Sequence, residues 1–151
     1  MPDSTSINET IRRFGHPESL VVDYAHWTVL LRPQQATLGA LVLAAFGPAT
    51  ALGDLPPAAH AELARITADI EATLGKAFSY KKINYLMLMM VDPNVHFHVL
   101  PRYDGPKIFD GTSFEDKGWP RLPDLAAAPD LSAERFRKLR DHLRGLWPAR
   151  R

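Results

Sequence analysis

Two histidines, His96 and His98, lie two residues apart in an apolar stretch of the chain that ends at Pro101. The β-branched and aromatic residues around them predict a strand, in which successive side chains point to opposite faces. Asn94 then shares a polar face with the two histidines, while the apolar residues between them form a core face. Because an imidazole has an unperturbed pKa of about 6.5, either histidine can act as a nucleophile, a proton donor or a metal ligand near neutral pH.

Length and composition narrow the class of protein. The 151 residues fit one domain, and the absence of cysteine excludes disulfides, thiolate metal sites and a cysteine nucleophile. The N-terminus is polar and has no signal-peptide pattern, so we expect a cytoplasmic protein. The longest apolar stretch, residues 38–52, is broken by glycine and proline, so no membrane-spanning helix is expected. A net charge of +1 gives no electrostatic case for a nucleic-acid or membrane partner.

Hydrophobic patterning divides the single domain into four parts. Residues 1–17 predict a short N-terminal helix that is an appendage, and residues 18–102 predict the core. Residues 103–130 predict a long loop rich in proline and glycine. Residues 131–151 predict a basic helix capped by Ser132, with seven lysines or arginines and two acidic residues. Its basic face is either solvated or attracts an anionic ligand.

The core has the pattern of five strands and one long helix. Residues 20–22, 27–31 and 41–46 predict three strands, and Asp54 followed by two prolines predicts the start of a helix with one apolar stripe. The apolar run 83–91 predicts a further strand, placed in the middle of a covered sheet or at a subunit interface, which turns into the histidine strand. The order indicates an α+β domain with a five-stranded, mainly antiparallel sheet and a C-terminal helix.

The segment from Val95 to Arg102 resembles the signature strand of the histidine triad superfamily, in which three histidines alternate with apolar residues. The surrounding order of strands and helix resembles that family as well. His96 takes the place of the central histidine and His98 that of the third, whereas Asn94 stands where the first would be. The chain also departs from many hydrolases of the family at residues 87–91, where an apolar run replaces a Gly- and Gln-containing phosphate loop.

The resemblance implies a nucleotide phosphate hydrolase or nucleotidyl transferase with a nucleotidyl-imidazole intermediate. It implies that His96 attacks an α-phosphorus and that His98 contacts the phosphate or leaving group, with no metal and no cofactor. It further implies a nucleotide-type small-molecule substrate and a homodimer that joins two sheets. The alternative is a catalytically weak or inactive nucleotide-binding protein of the same fold.

The residue types leave two other interpretations of the histidines open. They are either incidental polar residues on a solvated face or part of a zinc or iron site, although no nearby side chain supplies a third ligand. If the nucleophile is oriented by a backbone carbonyl, an asparagine at position 94 costs little; if the side chain matters, activity falls. Candidate contacts of the ribose or phosphate are the polar residues Asn94, Arg102, Asn84, Arg32 and Gln34.

Overall fold

The computed structural model describes residues 6–148 and contains a five-stranded antiparallel sheet with the order β1-β2-β3-β5-β4. The strands are β1 (Leu20–Asp23), β2 (Trp27–Leu31), β3 (Leu41–Ala45), β4 (Lys82–Leu86) and β5 (His96–Arg102). Within these residues the helices are α1 (Glu9–Arg13), α2 (Pro57–Phe78) and α3 (Ala133–Leu146). A hairpin of β6 (Lys107–Phe109) and β7 (Thr112–Phe114) follows β5, so the prediction of a loop over residues 103–130 is wrong for this part of the segment. The predicted α+β architecture is therefore confirmed.

Helix α2 covers one face of the sheet. Its residues Ile66, Ile70 and Leu74 recur at helical spacing and are fully buried in the main core, which confirms the predicted apolar stripe. The predicted helix cap is wrong, because Asp54 belongs to a 3-10 turn and α2 begins directly after Pro56. A proline fits the first helical position, where its missing N–H has no intrahelical acceptor.

Helix α1 covers the other face of the sheet, which carries the histidines. Its Ile11 is fully buried and packs with Leu30, Val42 and Ala44 in a second apolar cluster. The prediction that this face is polar is therefore only partly correct. The sequence predicts an appendage over residues 1–17, but Thr10 and Ile11 are both fully buried against the sheet, so α1 is packed as part of the domain. Residues 1–5 and 149–151 lie outside the described part of the chain.

Strand β4 is shorter than predicted and lies at the edge of the sheet. It ends at Leu86, and the segment that follows is a loop in which Met90 is 85% exposed and Val91 is 81% exposed. Of the two predicted positions, the middle of the sheet is wrong, because β5 lies between β3 and β4, whereas a position at a subunit interface stays a prediction. The outer edge of β4 pairs with no other strand within residues 6–148.

The C-terminal part of the described chain closes the opposite edge of the domain. Ser132 caps α3 by accepting a hydrogen bond from the Arg135 N–H, as predicted. Leu143 is fully buried, and Arg144 donates to the backbone oxygen of Leu20 at 2.7 Å. At least one arginine of this basic helix therefore serves the fold. No helix within residues 6–148 is long and apolar enough to cross a membrane.

Candidate active site

His96 and His98 project from the same face of β5, with ring centroids 5.0 Å apart and ring planes at 80°. On the neighbouring strand β3, Ala44 lies opposite His96 and Val42 opposite His98, while β4 flanks β5 on its other side. Backbone pairing on both sides holds the strand rigidly. The two residues are 2% and 7% exposed, so the imidazoles are held at fixed positions in a largely dry environment.

The ring of His96 is oriented by a backbone carbonyl. Its Nδ1 lies 2.7 Å from the carbonyl oxygen of Asn94. A carbonyl oxygen only accepts hydrogen bonds, so Nδ1 of the neutral ring carries the proton and Nε2 keeps a free lone pair. This is the protonation state that a nucleophilic imidazole requires.

The ring of His98 has the opposite tautomer. Arg32 Nε donates a hydrogen bond to Nδ1 of His98 at 3.3 Å, and since a guanidinium has no acceptor, the proton of the neutral ring lies on Nε2. Burial, followed by electrostatic interaction with Arg32 and then with His96, lowers the pKa of His98 to about 4. At neutral pH the site therefore combines one imidazole lone pair with one imidazole N–H donor.

Arg32 is itself buried, with 8% of its surface exposed. Its Nη1 donates to the backbone oxygens of Gln34 at 2.8 Å and Leu125 at 3.3 Å, and burial lowers its pKa. The structure thus places Arg32 beside His98, and its contact with the ribose or phosphate stays a prediction. Gln34 contributes its backbone carbonyl as a hydrogen-bond acceptor for Arg32. Gln34 is otherwise exposed and lines a groove together with residues of the segment 126–137, away from the histidine pair.

The side chain of Asn94 binds α1. Its Oδ1 accepts a hydrogen bond from the Thr10 hydroxyl at 3.0 Å, and the Asn94 backbone N–H donates to the same hydroxyl oxygen at 3.0 Å. Asn94 therefore acts on His96 through its backbone carbonyl, while its side chain connects the start of the histidine strand to the helix that covers it.

Arg102 is committed to an internal ion pair. Its Nε and Nη2 donate to the two carboxylate oxygens of Asp116 at 2.7 and 3.0 Å, and these side chains are only 5% and 1% exposed. Further bonds go to Asn84 Oδ1 and to the backbone oxygen of Arg121, each at 2.8 Å. With four hydrogen bonds made, the guanidinium anchors the long loop and has little capacity left for a phosphate.

A cleft of about 760 Å³ lies beside β4. Asn84, Leu86 and Arg102 line it from the sheet, and residues 119–123 line it from the long loop. Leu86 is the partner of His98 across the two strands, so the cleft begins one strand away from the histidines. Among the other predicted contacts, Asn84 is placed in this cleft.

Sequence reasoning missed three residues of the site: Phe14, Thr10 and Asp116. The Phe14 ring centroid is 5.4 Å from that of His96 and 5.5 Å from that of His98, so Phe14 covers the pair. The helical spacing of Phe14 with other apolar residues indicated that it packs against the protein, but it did not indicate that it packs against the histidines. Within residues 6–148 no three His, Cys, Asp or Glu side chains are grouped so that they could hold a metal ion.

Comparison with known proteins identifies the fold. No family model matches the sequence, and no curated protein matches it significantly. A histidine triad protein from Bradyrhizobium japonicum is similar in structure, with a TM-score of 0.72 and 19% identity over 95% of this chain and 98% of that chain. One from Sinorhizobium meliloti has a TM-score of 0.71 and 21% identity over 93% and 95% of the two chains. One from Marinobacter aquaeolei has a TM-score of 0.68 and 17% identity over 96% and 97%. The chain therefore has the fold of histidine triad proteins.

Proposed function

We propose that this protein is a nucleotide phosphate hydrolase or nucleotidyl transferase with His96 as its nucleophile. The observation that carries the proposal is the 2.7 Å contact between His96 Nδ1 and the Asn94 carbonyl oxygen, which leaves the Nε2 lone pair free. The fold is consistent with this activity, since a similar structure from Sulfolobus tokodaii is described as a hypothetical histidine triad nucleotide-binding protein.

The reaction proceeds in two displacements. The Nε2 lone pair of His96 forms a P–N bond to the α-phosphorus, while the bond to the leaving group breaks and its electron pair departs with that group. Positive charge then spreads over the modified ring, where the Asn94 carbonyl stabilises the Nδ1 proton. Water or another acceptor next attacks phosphorus, the P–N electron pair returns to His96, and the proton of the acceptor passes to solvent.

His98 stabilises charge during these displacements. Its Nε2–H donates to a phosphate oxygen whose negative charge grows in the transition state, and one such donor contributes on the order of 3 kcal/mol. The contacts that Asn84 would make with the ribose or phosphate stay a prediction based on its place in the cleft. Arg102 and Gln34 are less suitable as contacts of the ribose or phosphate. Arg102 is ion-paired with Asp116, and Gln34 lines a groove away from the two histidines.

A second candidate function is nucleotide binding with little or no turnover. The observation in its favour is that His96 is only 2% exposed and that the Phe14 ring centroid lies 5.4 Å from its own, which restricts the access of a substrate to this residue. If the α-phosphorus does not reach Nε2, nucleotides bind near the histidines without reacting.

We also propose that two copies associate through the open edge of β4. This edge is unpaired within residues 6–148, and the adjoining loop exposes Leu88, Met90 and Val91, an apolar cluster that a second copy would cover. Light scattering should give twice the monomer mass, and replacing Met90 and Val91 with serine should shift the protein to monomer. A wild-type monomer at high concentration would contradict this proposal.

The experiment that tests the function compares the wild type with His96→Ala on adenosine phosphoramidate and diadenosine triphosphate. We expect the substitution to lower release of AMP on the order of a thousandfold or more. His60→Ala is the matched control, since His60 is exposed on α2 and should leave turnover unchanged. Equal turnover by wild type and His96→Ala would refute the nucleophile. Intact substrates together with a nucleotide-dependent rise in Tm would favour the binding protein.

A further inference from the structure

Arg32 brings an unbalanced positive charge to the histidine pair. It is 8% exposed, and its partners are two backbone carbonyls and an imidazole, all of them uncharged. No carboxylate within residues 6–148 forms an ion pair with it, whereas the other buried arginine, Arg102, holds both oxygens of Asp116. A buried cation without an anion is costly, and a bound anion offsets that cost.

The free donors of Arg32 are the two N–H groups of Nη2, which lies next to the Nε that is bonded to His98. In any arginine, Nε and Nη2 lie on the same edge of the guanidinium. Arg102 shows this, because its Nε and Nη2 together bind the carboxylate of Asp116. In Arg32 the Nε of this edge is bonded to His98, and Nη2 has no hydrogen-bond partner in the described part of the chain. Two N–H donors next to an imidazole are suited to the oxygens of a phosphate.

The same contact prevents His98 from supplying a proton. The Nδ1 of His98 accepts a hydrogen bond from the Arg32 guanidinium at 3.3 Å. A proton added to Nδ1 would bring a second positive charge to that contact, which is unfavourable. Neutral His98 can donate a hydrogen bond through Nε2–H, but releasing that proton would create an imidazolate anion. The site therefore offers positive charge to a leaving group rather than a proton.

We propose that Arg32 binds the departing group directly and makes the site selective for substrates whose leaving group is a phosphate or polyphosphate, over phosphoramidates, whose leaving group is an amine. This inference rests on the proposed role of His96. When His96 Nε2 bonds to the α-phosphorus, the bond to the bridging oxygen breaks and this oxygen keeps the electron pair. The group departs as an anion beside Arg32 without a proton, whereas an amine needs one to leave.

The lowered pKa of His98, about 4, agrees with this arrangement, because the His98 ring is neutral at neutral pH. Negative charge on the leaving group grows in the transition state, so the effect of Arg32 belongs mainly to kcat.

The test uses diadenosine triphosphate and adenosine 5′-phosphoramidate, which share the adenosine and the α-phosphorus but lose ADP and ammonia, respectively. Wild type, Arg32→Gln and Arg32→Lys are compared by kcat and KM on both substrates. We expect wild type to prefer diadenosine triphosphate, and Arg32→Gln to lower kcat on it by about a hundredfold with a much smaller effect on the phosphoramidate. Arg32→Lys keeps the charge and should retain part of the preference.

Arg65→Gln is the matched control, since it removes one arginine from the surface of α2 and should leave both rates unchanged. Thermal unfolding checks that the variants fold. If Arg32→Gln does not fold, the kinetics of Arg32→Lys on the two substrates test the role of Arg32 instead. Equal losses on both substrates, or a wild-type preference for the phosphoramidate, would overturn the role of Arg32. Absent turnover, or turnover retained by His96→Ala, would instead overturn the proposed function and this inference with it.

Discussion

Replacing Asn94 with alanine separates the two roles that the structure gives this residue. The substitution keeps the backbone carbonyl that binds His96 Nδ1 at 2.7 Å and removes the side chain that binds Thr10. We therefore expect Asn94→Ala to lower stability while its kcat stays within about threefold of the wild-type value.

The loss of stability follows from the burial of the Thr10 hydroxyl. Thr10 is fully buried, and without Asn94 Oδ1 its hydroxyl proton loses its acceptor, although its oxygen still accepts from the backbone N–H of residue 94. A buried, unsatisfied donor costs about 1–3 kcal/mol. For a chain of this size, each kcal/mol corresponds to about 2–4 °C, so the Tm should fall by roughly 2–12 °C.

Urea unfolding and steady-state kinetics together measure the two effects. Thr10→Val removes the same contact from the other side, and in the double variant the combined loss should be smaller than the sum of the single losses, because the residues interact directly. If Asn94→Ala reduces kcat as severely as His96→Ala does, the side chain takes part in catalysis and the carbonyl account is refuted.

Three further predictions concern the surroundings of the site. The pKa of His98 rises from about 4 in the folded chain to about 6.5 in the unfolded chain, so the unfolded chain binds more protons between these pH values. The free energy of unfolding should therefore fall by up to about 3 kcal/mol as the pH drops from 6.5 to 4. A His98→Gln variant with the same pH profile as the wild type would contradict this. Asp116→Ala leaves the buried Arg102 unpaired and should cost about 3–5 kcal/mol in urea unfolding, whereas a loss below about 1 kcal/mol would show that the pair is not structural. A Cβ at Gly118 would overlap a backbone oxygen of the same loop, while one at Gly105 meets open space, so Gly118→Ala should lower the Tm and Gly105→Ala should not; equal Tm values would disprove the tight turn.

Sequence patterns correctly predicted those helices and strands whose apolar residues recur with the period of a helix or a strand. The stripe of α2, the alternation of β5 and the apolar strands β2 and β3 are all visible in short windows of sequence, and the structure places them as predicted. Strand β4 is shorter than predicted, because the apolar run continues beyond Leu86, where the chain leaves the sheet and Met89 adopts a left-handed conformation at φ 43°. An apolar composition does not reveal that change of direction.

Residue types pointed to candidate site residues, whereas the contacts between them in the fold were not predicted. His96, His98 and Arg32 lie together, but the ion pair of Arg102 with Asp116 and the contact of Thr10 with Asn94 depend on tertiary packing. The second of these joins residues 84 positions apart, and no local pattern encodes such a contact. The covering of the histidine face by α1 was missed for the same reason.

Trapping the covalent intermediate tests the role of His96 as the nucleophile most directly. Wild-type protein is mixed with diadenosine triphosphate, quenched with base within the first turnover, and analysed by intact-mass and peptide mass spectrometry, since phosphoramidate bonds to histidine survive in base. If His96 is the nucleophile, an adenylyl adduct forms on the peptide that carries His96, and no adduct forms in His96→Ala. Turnover by wild type with no adduct, or an adduct on another residue, would contradict the assignment of His96 as the nucleophile.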